Sequence, residues 1–194
     1  MARILVFAGS ARRDSLNKKL ARAAAQFARE AGAEATFVDL DDYPIPLYHG
    51  DLEAASGMPA NARKLRELFL DHDGLLIASP ENNSSMTALL KNTIDWLSRD
   101  LGEGRGRDSG LAPWRGKVAG LMAASPGAFG GVRGLPHLRQ VLATLGVTVL
   151  GTQVAVPRAD TVFAADGSLA DERVTKSVRA LAQALADAAG RLGG

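Results

Sequence analysis

Apolar and polar positions along this chain follow two rhythms, and the order in which they alternate predicts its architecture. Ile4-Leu5-Val6-Phe7-Ala8 is an unbroken apolar run, the pattern of a strand buried on both faces. Leu16, Leu20, Ala23, Ala24, Phe27 and Ala31 then recur at helical spacing, with Gly32 placed as a cap. Residues 35–40 read as a second strand. Pro44, Pro46, Pro59, Gly50 and Gly57 break up residues 41–59, which predicts a long surface connection. Leu65, Leu68 and Phe69 mark a second helix ending near His72, and Asp73-Gly74 reads as a turn. Leu75-Leu76-Ile77-Ala78 is a third buried strand. Met86, Leu89, Leu90, Ile94 and Leu97 give a third helix its apolar face, with Lys91 and Asp95 four apart on the surface. Residues 98–116, rich in glycine and arginine, lack periodicity and read as a loop. Residues 118–124 form a fourth strand. Leu135, Leu138, Leu142 and Leu145 mark a helix capped by Gly146. Residues 147–156 read as a fifth strand broken by Gly151, and Val174, Val178, Leu181, Leu185 and Ala189 as a last helix. Residues 190–194 are expected to fray.

Five strands alternating with five helices predict a mostly parallel sheet covered on both faces. A chain of 194 residues is expected to form one domain, 1–194. Five strands in that length favour the flavodoxin-like doubly wound order 2-1-3-4-5 over the Rossmann order. Ligands of such sheets sit at the carboxyl ends of strands 1 and 3, with strand 4 beside them. That rule singles out residues 9–17, 79–85 and 125–131.

The first of these loops reads Gly9-Ser10-Ala11-Arg12-Arg13-Asp14-Ser15-Leu16-Asn17. It leads into a helix start, whose unpaired N–H groups and positive dipole end suit a phosphate. Ser10 and Ser15 add hydroxyls, Arg12 and Arg13 add guanidinium groups, and Gly9 permits a close approach. The same residues also make an ordinary turn with Ser15 as N-cap. The second loop, Ser79-Pro80-Glu81-Asn82-Asn83-Ser84-Ser85, is dense in small polar groups. Pro80 stiffens a backbone that can offer amides to the edge of a planar heterocycle. In the third, Gly127, Gly130 and Gly131 remove side chains where a flat ring would approach. Turn chemistry accounts for any one of these loops. All three on one crevice edge point to a phosphorylated heterocycle, most simply FMN.

Composition narrows the alternatives. Hydrophobic residues make up 46% and charged residues 23%, close to a soluble globular average. A formal charge of +2 with no Lys/Arg block gives nucleic acid nothing to bind. The absence of cysteine excludes disulfides, thiolate metal sites and cysteine nucleophiles. His49, His72 and His137 lack ligand spacing, so no metal site is expected. Residues 110–117 approach a P-loop but have one residue too many, with Val118 where Ser or Thr is needed. No Gly-x-Gly-x-x-Gly follows the first strand, which disfavours a Rossmann dinucleotide site. The N-terminal apolar run is too short for a signal peptide, and no apolar stretch reaches membrane-spanning length. The expectation is a cytoplasmic protein with no membrane partner.

At this point the residues resemble those of the NADPH-dependent FMN reductases. Gly9-Ser10-Ala11-Arg12, with Ser15 and Asn17, is similar to that family's phosphate signature. Pro80-Glu81-Asn82-Asn83-Ser84-Ser85, followed by Leu90-Lys91-Asn92 and Ile94-Asp95-Trp96-Leu97-Ser98-Arg99, is similar to its second motif. Ser125-Pro126-Gly127 with Gly130-Gly131 is similar to its third, and the match runs over roughly residues 3–156. The resemblance implies a flavodoxin-like fold assembled as dimers or dimer pairs in the cytoplasm. It implies hydride transfer from NAD(P)H to bound FMN, and onward to a quinone, azo compound, free flavin or metal oxyanion. Ser10, Arg12, Ser15 and Asn17 would then hold the phosphate, with Leu16 among them and Asp14 turned to solvent. Pro80, Glu81, Asn82, Asn83, Ser84 and Ser85 would meet the ring and ribityl chain. Ser125 and Gly127 would meet the ring's polar edge, with Gly130 in the same loop.

Hydride transfer belongs to the flavin, so no catalytic acid or base is assigned. Arg105, Arg107 and Arg115 offer guanidinium groups for an NADPH 2′-phosphate, although a solvated loop is the plainer reading of them. Trp96 suits either the core or a subunit interface. One departure stands out: Asn82 occupies the position where the family usually carries a tyrosine near the flavin. The alternative function is a flavodoxin-like electron carrier without NAD(P)H activity. Such carriers are typically acidic, which this chain is not.

Overall fold

The structure, a computed structural model, describes residues 1–192. Its elements in chain order are β1 Arg3–Ala8, α1 Leu16–Glu30, β2 Glu34–Asp39, α2 Gly50–Ser56, α3 Ala60–Leu70 and β3 Gly74–Ala78. They continue with α4 Ala88–Leu97, β4 Val118–Ala124, α5 Gly134–Thr144, β5 Thr148–Val156 and α6 Glu172–Leu192. The strands form one sheet in the order β2-β1-β3-β4-β5, and every neighbouring pair is parallel. This is the flavodoxin-like order that the alternation of elements predicts.

Alternate strand residues point to opposite faces, and each face carries its own core. Ile4, Val6, Leu76, Val118 and Met122 pack under α1 and α6, against Leu20, Ala24, Leu181 and Leu185. Leu5, Phe7, Leu75, Ile77 and Leu121 pack under α3, α4 and α5, against Leu65, Phe69, Leu90 and Leu138. Trp96 is fully buried on this second side, its indole N–H donating to Pro46 O at 2.8 Å, so it belongs to the core.

Several local expectations are corrected. Residues 41–59 contain the helix α2, which buries none of its residues and therefore leaves no apolar stripe in the sequence. Gly74 is the first residue of β3 rather than a turn residue, and it pairs with Ile4 and Val118. Met86 precedes α4, whose N-cap is Thr87. Gly151 interrupts the ladder without ending β5: Val149 pairs with Ala119 and Gln153 with Leu121, so β5 bulges over residues 150–152. The Arg139 guanidinium donates to Val149 O at 3.0 Å and Leu150 O at 2.6 Å, fixing the start of that bulge. Of the stretch expected to fray, α6 takes in residues up to Leu192, and residues 193 and 194 lie outside the described residues.

Candidate active site

Three loops leave the carboxyl ends of adjacent central strands, and each is pinned at its first residue. Gly9 N–H donates to Ala78 O at 2.9 Å, Ser79 N–H to Met122 O at 2.8 Å, and Ser125 N–H to Val156 O at 3.1 Å. The sheet ladder thus runs one residue into every loop and fixes where each turns away. Between them lies a cleft of about 470 Å³.

The first wall is the start of α1. The Ser15 side chain caps it, accepting from Lys18 N–H at 3.4 Å. The backbone N–H groups of Leu16 and Asn17 have no protein acceptor among the described residues. Two free amides at the start of a 15-residue helix are the donor set an oxyanion needs. Asn17 is buried and braces the cleft: its Nδ2 donates to Ala124 O at 2.8 Å and its Oδ1 accepts from Ala124 N–H at 2.9 Å. One Nδ2 proton still faces away from that pair. Lys18 is also buried and forms an ion pair with Asp39 at 2.7 Å, which ties α1 to the end of β2. Arg12 is exposed on the cleft wall and has no carboxylate within ion-pair distance among the described residues. Asp14 is exposed and faces a separate groove with Lys19 and Arg22.

Gly9 owes its identity to packing. A Cβ there would lie 2.9 Å from the Leu90 Cβ, so only glycine lets α4 press against this loop. Thr87 seals the junction. Its hydroxyl donates to Gly9 O at 2.7 Å and accepts from Leu90 N–H at 3.1 Å, acting as brace and N-cap together. A lone threonine before an apolar run carries only a weak capping signal, and sequence reading passed over it.

From the second loop, Pro80, Glu81 and Asn82 line the cleft, whereas Asn83, Ser84 and Ser85 do not. Asn82 and Ser85 bond to each other through both backbone groups, at 2.9 and 3.0 Å, closing a tight turn. Asn83 at φ +50° and Ser84 at φ +63° form its tip. Ser85 faces a neighbouring cavity. Glu81 reaches the head of α5, where its carboxylate accepts from Arg133 N–H at 2.8 Å, Gly134 N–H at 3.2 Å and Arg133 Nε at 2.8 Å. Burial opposes its ionisation, but these hydrogen bonds and the Arg133 charge together hold its pKa below the usual carboxylate value. Glu81 is in effect the missing N-cap of α5.

From the third loop, Ser125 and Pro126 line the cleft, while Gly127 and Gly130 stand outside its wall. Gly127 N–H donates to Ser125 Oγ at 3.1 Å, which shapes the turn. A Cβ on Gly130 would come within 2.7 Å of Val156 C and Pro157 N, so this glycine seats the loop on the end of β5.

Arg105, Arg107 and Arg115 lie far from this cleft. Helix α4 starts at the cleft and runs ten residues away from it, about 15 Å, before their loop begins. Arg107 pairs there with Glu67 at 2.8 Å and Asp71 at 3.6 Å, at the far end of α3. Arg105 and Arg115 border a separate pocket with Gly104, Ser109 and Ala112.

At its α1 end the cleft is lined by Ser10, Arg12, Ser15 and Asn17, and at the other by Pro80, Glu81, Asn82, Ser125 and Pro126. Residues 2–161 match the model of the NADPH-dependent FMN reductase family. A 2-hydroxy-1,4-benzoquinone reductase from a Burkholderia species is 35% identical over 90% of this chain and 88% of its own length. An NAD(P)H-dependent FMN reductase from Pseudomonas aeruginosa is 36% identical over 94% of this chain and 92% of its own. Among solved structures, the flavoenzyme NAD(P)H:acceptor oxidoreductase FerB from Paracoccus denitrificans superposes with a TM-score of 0.82. It is 28% identical and covers 99% of both chains. With the family model matched over four-fifths of its length, this chain belongs to the NADPH-dependent FMN reductases.

Proposed function

We propose that the cleft at the carboxyl ends of β1, β3 and β4 seats FMN, with its phosphate at the start of α1 and its ring between the second and third loops. The phosphate would accept hydrogen bonds from the free Leu16 and Asn17 amides, the Ser10 and Ser15 hydroxyls, and Arg12. Pro80, Glu81, Asn82 and Ser125 would form the wall along the ring and ribityl chain. Asn17 and Thr87 position that wall through Ala124 and Gly9. Bound FMN supplies two-electron chemistry, taking a hydride from NAD(P)H. The acceptor is a quinone, the substrate class in the name of the Burkholderia relative. Reductases among the relatives favour an enzyme over an electron carrier. The whole chain works as one FMN-binding unit, in the cytoplasm, as a homodimer or homotetramer. No helix among the described residues is long and apolar enough to cross a membrane.

The observation that carries this reading is the pair of unpartnered amides beside an unpaired arginine. It is tested by titrating apoprotein fluorescence with FMN and riboflavin, which share the ring and differ in the phosphate. Charge-assisted hydrogen bonds contribute about 1.5–3 kcal/mol each before phosphate desolvation. A net ~3–4 kcal/mol makes FMN bind roughly a few hundredfold more tightly. Arg12→Ala, at an exposed position, should cost FMN about fivefold and leave riboflavin untouched. Equal affinities for the two flavins would refute the placement.

A further inference from the structure

A cavity of about 770 Å³ lies in the groove between α1 and α6 and shares no lining residue with the cleft. Lys19, Arg22, Ala23, Gln26 and Phe27 recur at helical spacing and give it one face of α1. Thr175 and Arg179, one turn apart, line it from α6. A hairpin completes the walls: Phe163 bridges Leu169, and Ala164 N–H donates to Ser168 O at 2.9 Å. Ala23, Phe27 and Leu169 are half-buried, so part of their apolar surface is left to the groove. Cations stand around that surface. The Arg179 guanidinium lies 4.2 Å from the Phe27 ring centroid and pairs with Glu30. That of Arg22 lies 4.4 Å from the Phe37 centroid, with Asp39 at 3.9 Å. Each is steadied by its neighbours and keeps N–H donors for a ligand. Lys19 is half-buried and has no carboxylate within ion-pair distance among the described residues.

Two acids also line the groove. Asp166 accepts from Ser168 N–H at 2.9 Å and from the Ser168 hydroxyl at 2.6 Å, so it is engaged within its own hairpin. Asp14 is exposed on the loop before α1. Lys19, Arg22 and Arg179 against these two acids leave one positive charge in excess, the match of a monoanion rather than of a doubly charged phosphate. We propose that this groove binds a planar aromatic carboxylate, at a site separate from the flavin cleft. The ring lies against the apolar strip of Ala23, Phe27 and Leu169, and water leaves both surfaces. The carboxylate accepts charge-assisted hydrogen bonds from Lys19 and Arg22, neighbours three apart on α1. Arg179 supplies a cation beside the electron-rich ring. A neutral aromatic would leave Lys19 without a counter-charge, and a small inorganic anion would leave the apolar strip uncovered.

Calorimetric titration of the FMN-loaded protein tests this, with 2-naphthoate as the probe and 2-naphthamide as its uncharged counterpart. Ordinary ligand efficiency puts the Kd of naphthoate at roughly 0.1 mM. Naphthamide, which keeps the rings and loses the charge, should bind about tenfold more weakly. Added salt should weaken naphthoate and leave naphthamide alone. Lys19→Gln should cost naphthoate about fivefold, and Lys19→Gln with Arg22→Gln about thirtyfold, while naphthamide changes less than twofold. Both side chains lie outside the cleft wall, so FMN content and thermal stability, measured on the same samples, show that the variants are intact. Three results would overturn the proposal. One is no saturable naphthoate binding below about 5 mM. Another is a naphthoate affinity unmoved by the double substitution, which would put the probe in the flavin cleft or elsewhere. The third is tighter binding of adenosine 5′-monophosphate than of naphthoate, lost in the same variant, which would give the groove to nucleotide phosphates.

Discussion

Replacing Asn17 by alanine should loosen the cleft and the fold together. The Asn17 carboxamide makes two hydrogen bonds to the Ala124 backbone, at 2.8 and 2.9 Å, across 107 residues of sequence. Two neutral hydrogen bonds contribute about 0.5–1.5 kcal/mol each, and a buried group left unpaired costs about 1–3 kcal/mol. The cleft admits water to this edge of β4, which brings the loss to about 3 kcal/mol for the pair. Alanine returns about 0.6 kcal/mol of helix propensity in the first turn of α1. The net cost is about 2–3 kcal/mol, or roughly 4–12 °C in Tm for a chain of this size. Urea unfolding of the apoprotein measures the stability, and flavin titration measures the site. FMN and riboflavin should both bind less tightly, because the brace sets the distance between the first and third loops. Asn17→Asp should discriminate between them: its carboxylate faces the Ala124 carbonyl and the phosphate alike, so FMN suffers more than riboflavin. A stability loss below 0.5 kcal/mol in Asn17→Ala, or an Asn17→Asp protein that keeps its preference for FMN, would refute the role given to this residue.

Two further expectations concern stability. Lys117 is buried and donates to His72 O, and desolvation lowers its pKa from 10.5 to about 8 despite the nearby Asp73. Between these values the unfolded chain holds the extra proton, so the stability contributed by this side chain rises as pH climbs from about 8 to 10.5. Relative to Lys117→Met, the parent protein should gain about 2 kcal/mol over that window, after a discount for solvent access. Paired urea titrations at pH 7 and pH 10.5 measure it, and a constant difference would disprove it. Ser84→Gly relieves a left-handed φ of +63° and should stabilise the apoprotein by about 0.5–1 kcal/mol. Because Ser84 stands outside the cleft wall, FMN affinity should hold. A destabilised variant would mean that the serine side chain contributes more than its backbone strain costs.

Most of the fold was legible because its cores are periodic. Apolar runs marked the inner strands β1, β3 and β4, and the flavodoxin-like order followed from the number and alternation of the elements. What was illegible depends on contacts distant in sequence. Helix α2 buries nothing, so no stripe announces it. Gly9 reads locally as a turn residue, but its reason is Leu90, which folding brings against it. Glu81 reads as a ligand-facing acid, yet most of its hydrogen-bonding capacity serves α5, fifty residues later. Gly130 likewise reads as room for a ring, whereas Val156 and Pro157 fill that room. Loop composition singled out the three loops that border this cleft. It could not say which loop residues face inward, because that is decided by the elements packed behind them.

The bulge in β5 also limits how this protein can associate. An outermost strand offers a row of unpaired N–H and C=O groups to any passing chain. Here that row is out of step after Val149, and the Arg139 guanidinium occupies two of its carbonyls. A second molecule cannot extend the sheet through β5 without displacing a cation and ironing out the kink. Self-association through helices remains open, while runaway strand addition, the route to fibrils and inclusion bodies, is obstructed on this side of the sheet.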